Sequence, residues 1–149
     1  MGLHFTEYDL RIAAYAWIVD DHDRVLLSWS NGEGRFDAAW SLPGGGIDFD
    51  EAIRDGLVRE VREETGYDVE VGEFVLDHFF TRRRPGEKPF RAQRFVYLAR
   101  IVGGELGTLE VGGSTDYAAW VPLAEVTAQP ARAEIVDVAL AAHLERSGA

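Results

Sequence analysis

The pattern of apolar and polar positions predicts strands over much of the chain. Residues 11–19 (RIAAYAWIV) form an apolar run rich in aromatic and β-branched side chains, which is typical of a buried strand. A polar turn over residues 20–23 leads to a second run, residues 24–30 (RVLLSWS). A polar segment separates two longer runs, residues 69–80 and 90–102. The pattern therefore predicts two β-hairpins, one from each pair of runs.

Helical spacing of apolar residues occurs in two places. Residues 52–65 have this spacing, and Gly66 follows at the usual position of a helix C-cap. Residues 131–146 form a second, amphipathic segment, and residues 117–121 add a short strand. The three consecutive glycines 44–46 are expected to exclude a regular element before the first helix. Strands and helices in this order predict an α/β or α+β sandwich, with helices covering a mixed sheet.

Length and composition place the chain among globular proteins with an ordinary core. The 149 residues are 46% hydrophobic, and no internal repeat or linker divides them, so we expect one domain over residues 1–149. The chain has no cysteine, which excludes disulfides, thiolate metal sites and a cysteine nucleophile. This composition fits a reducing compartment.

Charge and hydropathy narrow the classes of partner. The chain has 15 basic and 26 acidic residues, and its net charge of −11 argues against a general binder of nucleic acids or anionic membranes. No apolar run approaches the ~20 residues that a membrane span needs, and the N-terminus lacks the pattern of a secretion signal. We therefore expect a cytoplasmic protein with no nucleic-acid or membrane partner. The oligomeric state is left open, a homodimer included.

Three carboxylates cluster on the first predicted helix. On a helical wheel Glu60, Glu63 and Glu64 lie within roughly a 100° arc, and Glu64 falls inside the apolar stripe. Carboxylates spaced like Glu60 and Glu64 repel each other, so a cation should neutralise them. The wheel directs Arg59 and Arg62 away from Glu60 and Glu64, and a hard divalent cation such as Mg²⁺ fits better. A solvated acidic helix face is the alternative interpretation.

The spacing of fixed residues around this cluster resembles the Nudix box of the Nudix hydrolase family. The matching positions are Gly45, Glu51, Arg59-Glu60, Glu63-Glu64 and Gly66. The flanking segments WSLPGG (residues 40–45) and WVPL (residues 120–123) also resemble patterns of that family. Tyr67 departs from the pattern, because the family more often has an aliphatic residue there; we interpret it as a tolerated variant at an apolar position.

The resemblance implies an α/β/α sandwich that hydrolyses a nucleoside diphosphate linked to another moiety, with Mg²⁺ or Mn²⁺ as cofactor. Carried over by position, Glu60 and Glu64 would be the main metal ligands, and Glu63 would be a further ligand or a base acting on water. Gly45 would offer its backbone carbonyl to the metal. The expected partner is a small nucleotide substrate.

The resemblance also assigns supporting and catalytic residues. Glu51 and Arg59 match the pair that braces the helix. Members of this family also use a base from a loop outside the box, for which Glu105, Glu110 and Asp116 are the candidates here. Asp116 is the first choice, because it lies four residues before the WVPL segment. A turn-forming aspartate is the alternative interpretation of Asp116.

A basic segment follows the acidic helix. Residues 81–100 contain seven basic side chains and one acidic side chain. Because arginine suits bidentate phosphate contacts, we expect Arg91 and Arg94, together with Arg82, to bind the phosphates of the substrate or its terminal group. The alternative is a solvated hairpin tip.

The substrate is less well determined by the sequence. The downstream proline typical of ADP-ribose pyrophosphatases is absent, because Pro85 lies too far beyond the box. A nucleoside triphosphate, modified or not, cleaved to a monophosphate and pyrophosphate is therefore the preferred substrate. Two alternatives stay open: a pyrophosphatase acting on ADP-ribose or another nucleotide sugar, and a Nudix-like domain that senses a nucleotide without cleaving it. The presence of Glu60, Glu63 and Glu64 disfavours the sensor.

Overall fold

The computed structural model describes residues 2–148, which form seven strands and two α-helices. The strands are β1 (Asp9–Trp17), β2 (Arg24–Ser30), β3 (Ala39–Ser41), β4 (Gly44–Gly46), β5 (Tyr67–Arg82), β6 (Phe90–Gly104) and β7 (Thr115–Pro122). The helices are α1 (Ile53–Thr65) and α2 (Glu134–Arg146). Short 3-10 helices occur at Phe5–Glu7, Gly32–Gly34 and Leu123–Ala128.

The strands form two sheets. The first has the order β4-β1-β6-β5, in which β1 pairs antiparallel with β4 and parallel with β6. The second sheet has the order β3-β2-β7, and both of its pairings are antiparallel. The first sheet is therefore mixed, as predicted, and β4 and β5 are its two edges.

The two predicted hairpins have different outcomes. The β5–β6 hairpin is confirmed, with antiparallel register from Arg82 opposite Phe90 to Tyr67 opposite Gly104. The predicted pairing of β1 with β2 in a hairpin is wrong. A single bridge at the turn joins Val19 to Val25, and the two strands do not pair beyond it. The two strands then enter different sheets, because β4 and β6 occupy both edges of β1 while β3 and β7 occupy both edges of β2. An apolar run does not indicate which neighbours a strand will have.

The expectation that the glycines 44–46 exclude a regular element is also wrong, since they form β4 and pair with β1 at Ala13–Tyr15. Gly44 has φ +142°, and a Cβ at this position would overlap with the carbonyl oxygen of Ala14. Only glycine allows the strand to approach β1 so closely.

Helices cover the sheets from both sides. On one side Leu57 and Val61 of α1 pack with Ala14, Ala16 and Leu26. These residues form one buried apolar cluster. On the other side α2 packs on neighbouring positions of the same strands and forms a second cluster. Its members include Trp17, Val25, Leu27, Val96, Ile135, Val136 and Leu140. Since side chains alternate along a strand, each buried strand supplies both clusters. The result is the predicted α/β/α sandwich.

Neither helix is long and apolar enough to cross a membrane, within the part of the chain that the structure describes.

Candidate active site

Glu64 is a buried carboxylate at the junction of three elements. Its side chain extends from the last turn of α1 and is only 6% exposed. The backbone N–H of Gly44 donates to its Oε1 at 2.9 Å, and the Thr115 hydroxyl donates to its Oε2 at 2.8 Å. Both carboxylate oxygens are therefore held, one by β4 and the other by β7.

Burial raises the pKa of Glu64 to about 8. The hydrogen bonds from Gly44 and Thr115 oppose this rise, while the negative charges of Glu60 and Glu110 add to it. The ionised form of Glu64 therefore lacks a compensating cation. A buried carboxylate in this environment favours the binding of a positive ion.

Glu60 lies against the backbone of β4. A Cβ at Gly45 would be 2.9 Å from Oε2 of Glu60, so glycine at this position allows the carboxylate to approach the strand. Burial raises the pKa of Glu60, and the positive charge of Arg59 opposes this rise. The structure thereby brings together Gly45, Glu60 and Glu64, three of the four predicted metal-binding residues.

Arg59 contacts Glu60, one of the two carboxylates from which the helical wheel directs it away. Its guanidinium lies 2.6 Å from Oε1 of Glu51, 3.2 Å from Oε1 of Glu60 and 3.3 Å from Oε2 of Glu63. The expectation that Arg59 points away from Glu60 is therefore wrong, because a wheel gives the direction of Cβ and not the reach of a long side chain. The hydrogen bonds from Arg59 also hold the pKa of Glu51 below its usual value.

The end of α1 is closed by the loop that follows β6. Gly66 has the left-handed conformation of a C-cap, as predicted, and a side chain there would overlap with the carbonyl oxygen of Glu105. The backbone N–H groups of Leu109 and Glu110 both donate to the carbonyl oxygen of Glu63, at 2.9 and 3.0 Å. The last carbonyls of a helix have no intrahelical partner, and this loop provides a partner for one of them. The same loop places Glu110 near Glu60 and Glu64, and we call these three residues the carboxylate cluster.

The three candidate loop bases are in different environments. Glu110 is half-buried, and its charge raises the pKa of both Glu60 and Glu64. Asp116 follows Thr115 at a β-bulge, and its Oδ1 accepts a hydrogen bond from the side chain of Asn31 at 2.8 Å. Glu105 is exposed. The position of Glu110 near Glu60 and Glu64 thus favours it over Asp116 as the general base. Glu110 is one of the three candidates that the sequence offers for this role.

The three predicted phosphate-binding arginines do not form one group. Each guanidinium stacks on a phenylalanine ring: Arg82 on Phe90 at 4.8 Å, Arg91 on Phe79 at 4.3 Å and Arg94 on Phe80 at 4.6 Å. Arg91 and Arg94 are three residues apart on β6, so their side chains extend from opposite faces of the sheet. Arg82 lies opposite Phe90 and shares the face of Arg94.

Two residues of this site gave little signal in the sequence. Thr115 lies in a glycine-rich segment without periodicity, and Gly44 was recognised only as part of a flanking pattern. Tyr67 has a clear structural role, because its hydroxyl accepts a hydrogen bond from the indole N–H of Trp120 at 3.3 Å. An aliphatic residue could not supply that acceptor.

The donor set suits a hard divalent cation, although no three His, Cys, Asp or Glu side chains of residues 2–148 converge on one point. Arg59 engages Glu60 and Glu63, while Gly44 and Thr115 engage Glu64. Carboxylate and carbonyl oxygens are the ligands that Mg²⁺ prefers, and the cluster includes a buried acid without a cation. The residues therefore fit such an ion, provided that Glu60 and Glu63 release Arg59.

The NUDIX domain profile matches residues 9–142, which include every residue of this site. The chain belongs to the NUDIX family. The family resemblance of the sequence is thereby confirmed.

Individual relatives agree with this assignment. CTP pyrophosphohydrolase of Escherichia coli (strain K12) is 36% identical over 67 residues, covering 45% of this chain and 50% of that protein. The crystal structure of a MutT NUDIX hydrolase from Burkholderia pseudomallei superposes with a TM-score of 0.74 at 26% identity, covering 89% of this chain and 97% of that one. An ADP-ribose pyrophosphatase from Streptococcus suis superposes with a TM-score of 0.63 at 26% identity, covering 91% and 92%.

These similarities confirm the fold, and the hydrolase names of the relatives support the prediction of an enzyme. The chain spans about half the length of the curated relatives it matches.

Proposed function

We propose that this NUDIX protein hydrolyses a nucleoside diphosphate linked to another moiety, in a reaction that depends on Mg²⁺ or Mn²⁺. The observation that carries the proposal is the buried Glu64 carboxyl, which lies beside Glu60 and Glu110 and has no cationic partner within 4.0 Å among residues 2–148. A cluster of this kind is costly to a folded protein unless a cation binds to it. The hydrolase names of the relatives give the same reaction class.

The residues that would hold the ion are Glu60, Glu64, Glu63 and the carbonyl of Gly45. When bound, a divalent ion screens the phosphate charge and lowers the pKa of water. The Arg59 guanidinium, fixed by Glu51, orients Glu60 and Glu63 from outside the cluster. Glu110 would accept the proton of the attacking water, with Asp116 as the alternative base. Arg82, Arg91 and Arg94 remain candidate contacts to the substrate.

The preferred substrate is a nucleoside triphosphate cleaved to a monophosphate and pyrophosphate. The E. coli relative is a pyrophosphohydrolase of CTP by name, which supports this class. ADP-ribose or another nucleotide sugar is a second candidate, favoured by the similarity to the S. suis ADP-ribose pyrophosphatase. Binding of a nucleotide without hydrolysis is the third.

A panel of nucleoside triphosphates, ADP-ribose and nucleotide sugars, incubated with Mg²⁺, tests these candidates. Chromatography identifies the products, and Glu64→Gln is the control for metal-dependent turnover. Release of pyrophosphate and a monophosphate from a triphosphate supports the preferred reaction. Two monophosphates from ADP-ribose or a nucleotide sugar support the second candidate. No product from any compound, together with tight binding of one of them, would favour the sensor.

A further inference from the structure

Arg11 and Arg94 are cations without anionic partners in an acidic protein. Of the twelve other arginines, six form ion pairs with Asp or Glu among residues 2–148 and six do not. Arg11 and Arg94 have no carboxylate within 4.0 Å among residues 2–148, and the Nε of Arg94 is buried without a hydrogen-bond acceptor. Arg94 is distinguished from the other unpaired arginines by its buried Nε, and Arg11 is its neighbour, so together they suit an anion that comes from outside the chain.

Both arginines extend from the same face of the first sheet. Ala13 of β1 lies between Gly46 of β4 and Arg94 of β6, and Arg11 precedes Ala13 by two residues. Side chains two apart on a strand share a face, so Arg11 and Arg94 lie diagonally across one surface. Ala13 and Ala92 lie between them on this face and are buried, so an anion would reach the pair from the exposed side of Arg11.

Gly46 fixes the position of the Arg11 guanidinium. A Cβ at residue 46 would lie 3.2, 3.4 and 3.5 Å from Nη2, Nε and Cζ of Arg11. These distances show that the guanidinium packs closely against Gly46. Arg94 is held in a comparable way, because its guanidinium stacks on the Phe80 ring at 4.6 Å. Neither cation needs an acidic residue for its position.

The carboxylate cluster lies directly across β4 from these cations. Gly45 faces Glu60, whereas Gly46, the next residue, faces Arg11. β4 is an edge strand of three residues, so one short strand separates the carboxylates from the cations. A substrate whose diphosphate lies at Glu60 and Glu64 can therefore place a different part of itself against Arg11 and Arg94.

We propose that Arg11 and Arg94 bind a second phosphate group of the substrate, remote from the diphosphate that is cleaved. This inference rests on the proposed function and specifies its substrate class: a nucleotide that carries an additional phosphate monoester. Guanidiniums suit that group, since they bind phosphate oxygens in pairs. Arg11 is a residue that the box did not assign, and Gly46 acts as its positioning residue.

Pairs of compounds that differ only in a remote phosphate test the proposal. Such pairs are NADPH and NADH, coenzyme A and dephospho-coenzyme A, and 2′-phospho-ADP-ribose and ADP-ribose. The wild type should have a kcat/KM at least tenfold higher for the phosphorylated member of a pair it cleaves. Arg11→Ala and Arg94→Ala should each reduce this preference to less than threefold by raising KM for the phosphorylated member, and Arg11→Ala should change the KM of the unphosphorylated member little.

Two further variants separate the position of the Arg11 guanidinium from the overall positive charge of the sheet. Gly46→Ala shifts the guanidinium by a few tenths of an ångström and should reduce the preference, though by less than Arg11→Ala does. Arg100→Ala removes an exposed arginine of β6 that is paired with Glu70, and it should leave the preference unchanged. Hydrolysis of such pairs by the wild type without a preference for the phosphorylated member would overturn the inference and leave the proposed function intact.

Direct binding keeps the test independent of turnover. In buffer with a chelator, adenosine 2′,5′-bisphosphate should bind the wild type at least tenfold more tightly than AMP in calorimetry, and Arg11→Ala should abolish the difference. Equal dissociation constants for the two probes in the wild type would contradict the second phosphate site. If this binding difference is found but no compound is hydrolysed, the proposed function fails and the anion site stands.

Discussion

The Thr115 hydroxyl donates a hydrogen bond to Oε2 of Glu64 at 2.8 Å, and this contact joins the first residue of β7 to the last turn of α1. Both side chains are buried. The bond matters because Glu64 has no basic partner, so Thr115 and the Gly44 N–H are the groups that stabilise its ionised form. A carboxylate predicted from the α1 sequence thus depends on a residue 51 positions away.

Replacement of Thr115 by valine should weaken the fold and raise the pKa of Glu64 further. Valine keeps the shape of threonine but leaves Oε2 without its donor, a change that costs about 1 to 3 kcal/mol in the free energy of unfolding. Urea denaturation in chelator measures the loss. Thr115→Ser, which retains the hydroxyl, is the matched control and should keep the pKa of Glu64 near that of the wild type. Equal stability of Thr115→Val and the wild type at pH 9 would contradict this role.

The raised pKa of Glu64 predicts how the stability of the metal-free protein depends on pH. Its pKa is about 8 in the folded state and 4.5 without the fold. Between these values the folded state keeps a proton that the unfolded state has lost, so the contribution of Glu64 to stability is greatest below pH 4.5 and falls as the pH rises towards 8. The decline is at most about 1.4 kcal/mol per pH unit.

Thermal unfolding in chelator between pH 5 and pH 9 measures this decline. Glu64→Gln removes the titrating group and should flatten the profile over that range. Mg²⁺ added at pH 8 should raise the Tm of the wild type more than that of Glu64→Gln, because the ion binds the ionised carboxylate. A wild-type profile no steeper than that of the variant would show that Glu64 does not titrate in this range.

The sequence predicted elements and chemistry where local patterns are strong. The 3.6-residue spacing of α1, the Gly66 cap and the long β5–β6 hairpin all follow from neighbouring residues. The pairing of β1 does not, because the edge to which β4 binds depends on backbone space at Gly44 and not on side-chain hydropathy. An apolar run identifies a strand, but its partners are decided by the whole chain.

The carboxylate cluster also has one part that the sequence predicts and another that it does not. Glu60 and Glu64 could be grouped from helical geometry, since both belong to one helix. The contact of Arg59 with Glu60 could not, because it depends on four side-chain torsions that no wheel includes. Thr115 and Glu110 reach the cluster through β7 and the loop before it, so only the folded chain shows their proximity.

The choice of general base can be decided by two matched variants. Glu110→Gln should lower kcat by about 100-fold or more, the contribution expected of a base, because Glu110 shares the electrostatic environment of Glu60 and Glu64. Asp116→Asn should change kcat by about twofold or less, since Asp116 is bound to Asn31 and its replacement keeps a carbonyl acceptor. Initial rates at saturating substrate measure both.

A second measurement separates the electrostatic effect of Glu110 on Glu64 from proton transfer. Removal of the Glu110 charge should lower the pKa of Glu64, so the pH-dependent loss of stability should end at a lower pH, and be smaller in total, in Glu110→Gln than in the wild type. Asp116→Asn should leave that profile unchanged. A large loss of kcat in Asp116→Asn with normal turnover in Glu110→Gln would instead restore the base predicted from the sequence.

The Arg59–Glu51 pair should contribute measurable coupling to the stability of the box. The guanidinium donates to both oxygens of Glu51, at 2.6 and 3.2 Å, and Arg59 is only 32% exposed. Two parallel hydrogen bonds fix the orientation of the side chain, which a lysine cannot reproduce. A double-mutant cycle with Arg59→Lys and Glu51→Gln at pH 7 should therefore give a favourable coupling energy.

The matched control is the Arg62–Asp68 pair, which involves the same helix but is exposed and separated by 3.6 Å. Its coupling should be smaller, since solvent screens an exposed pair. Acid conditions provide a second check. Because the Arg59 hydrogen bonds hold the pKa of Glu51 below its value of 4.5 in the unfolded chain, the pair stabilises the fold above pH 4.5 and this contribution is lost on further acidification. Arg59→Lys should reduce that loss, and equal coupling in the two pairs would mean that Arg59 does not brace the helix.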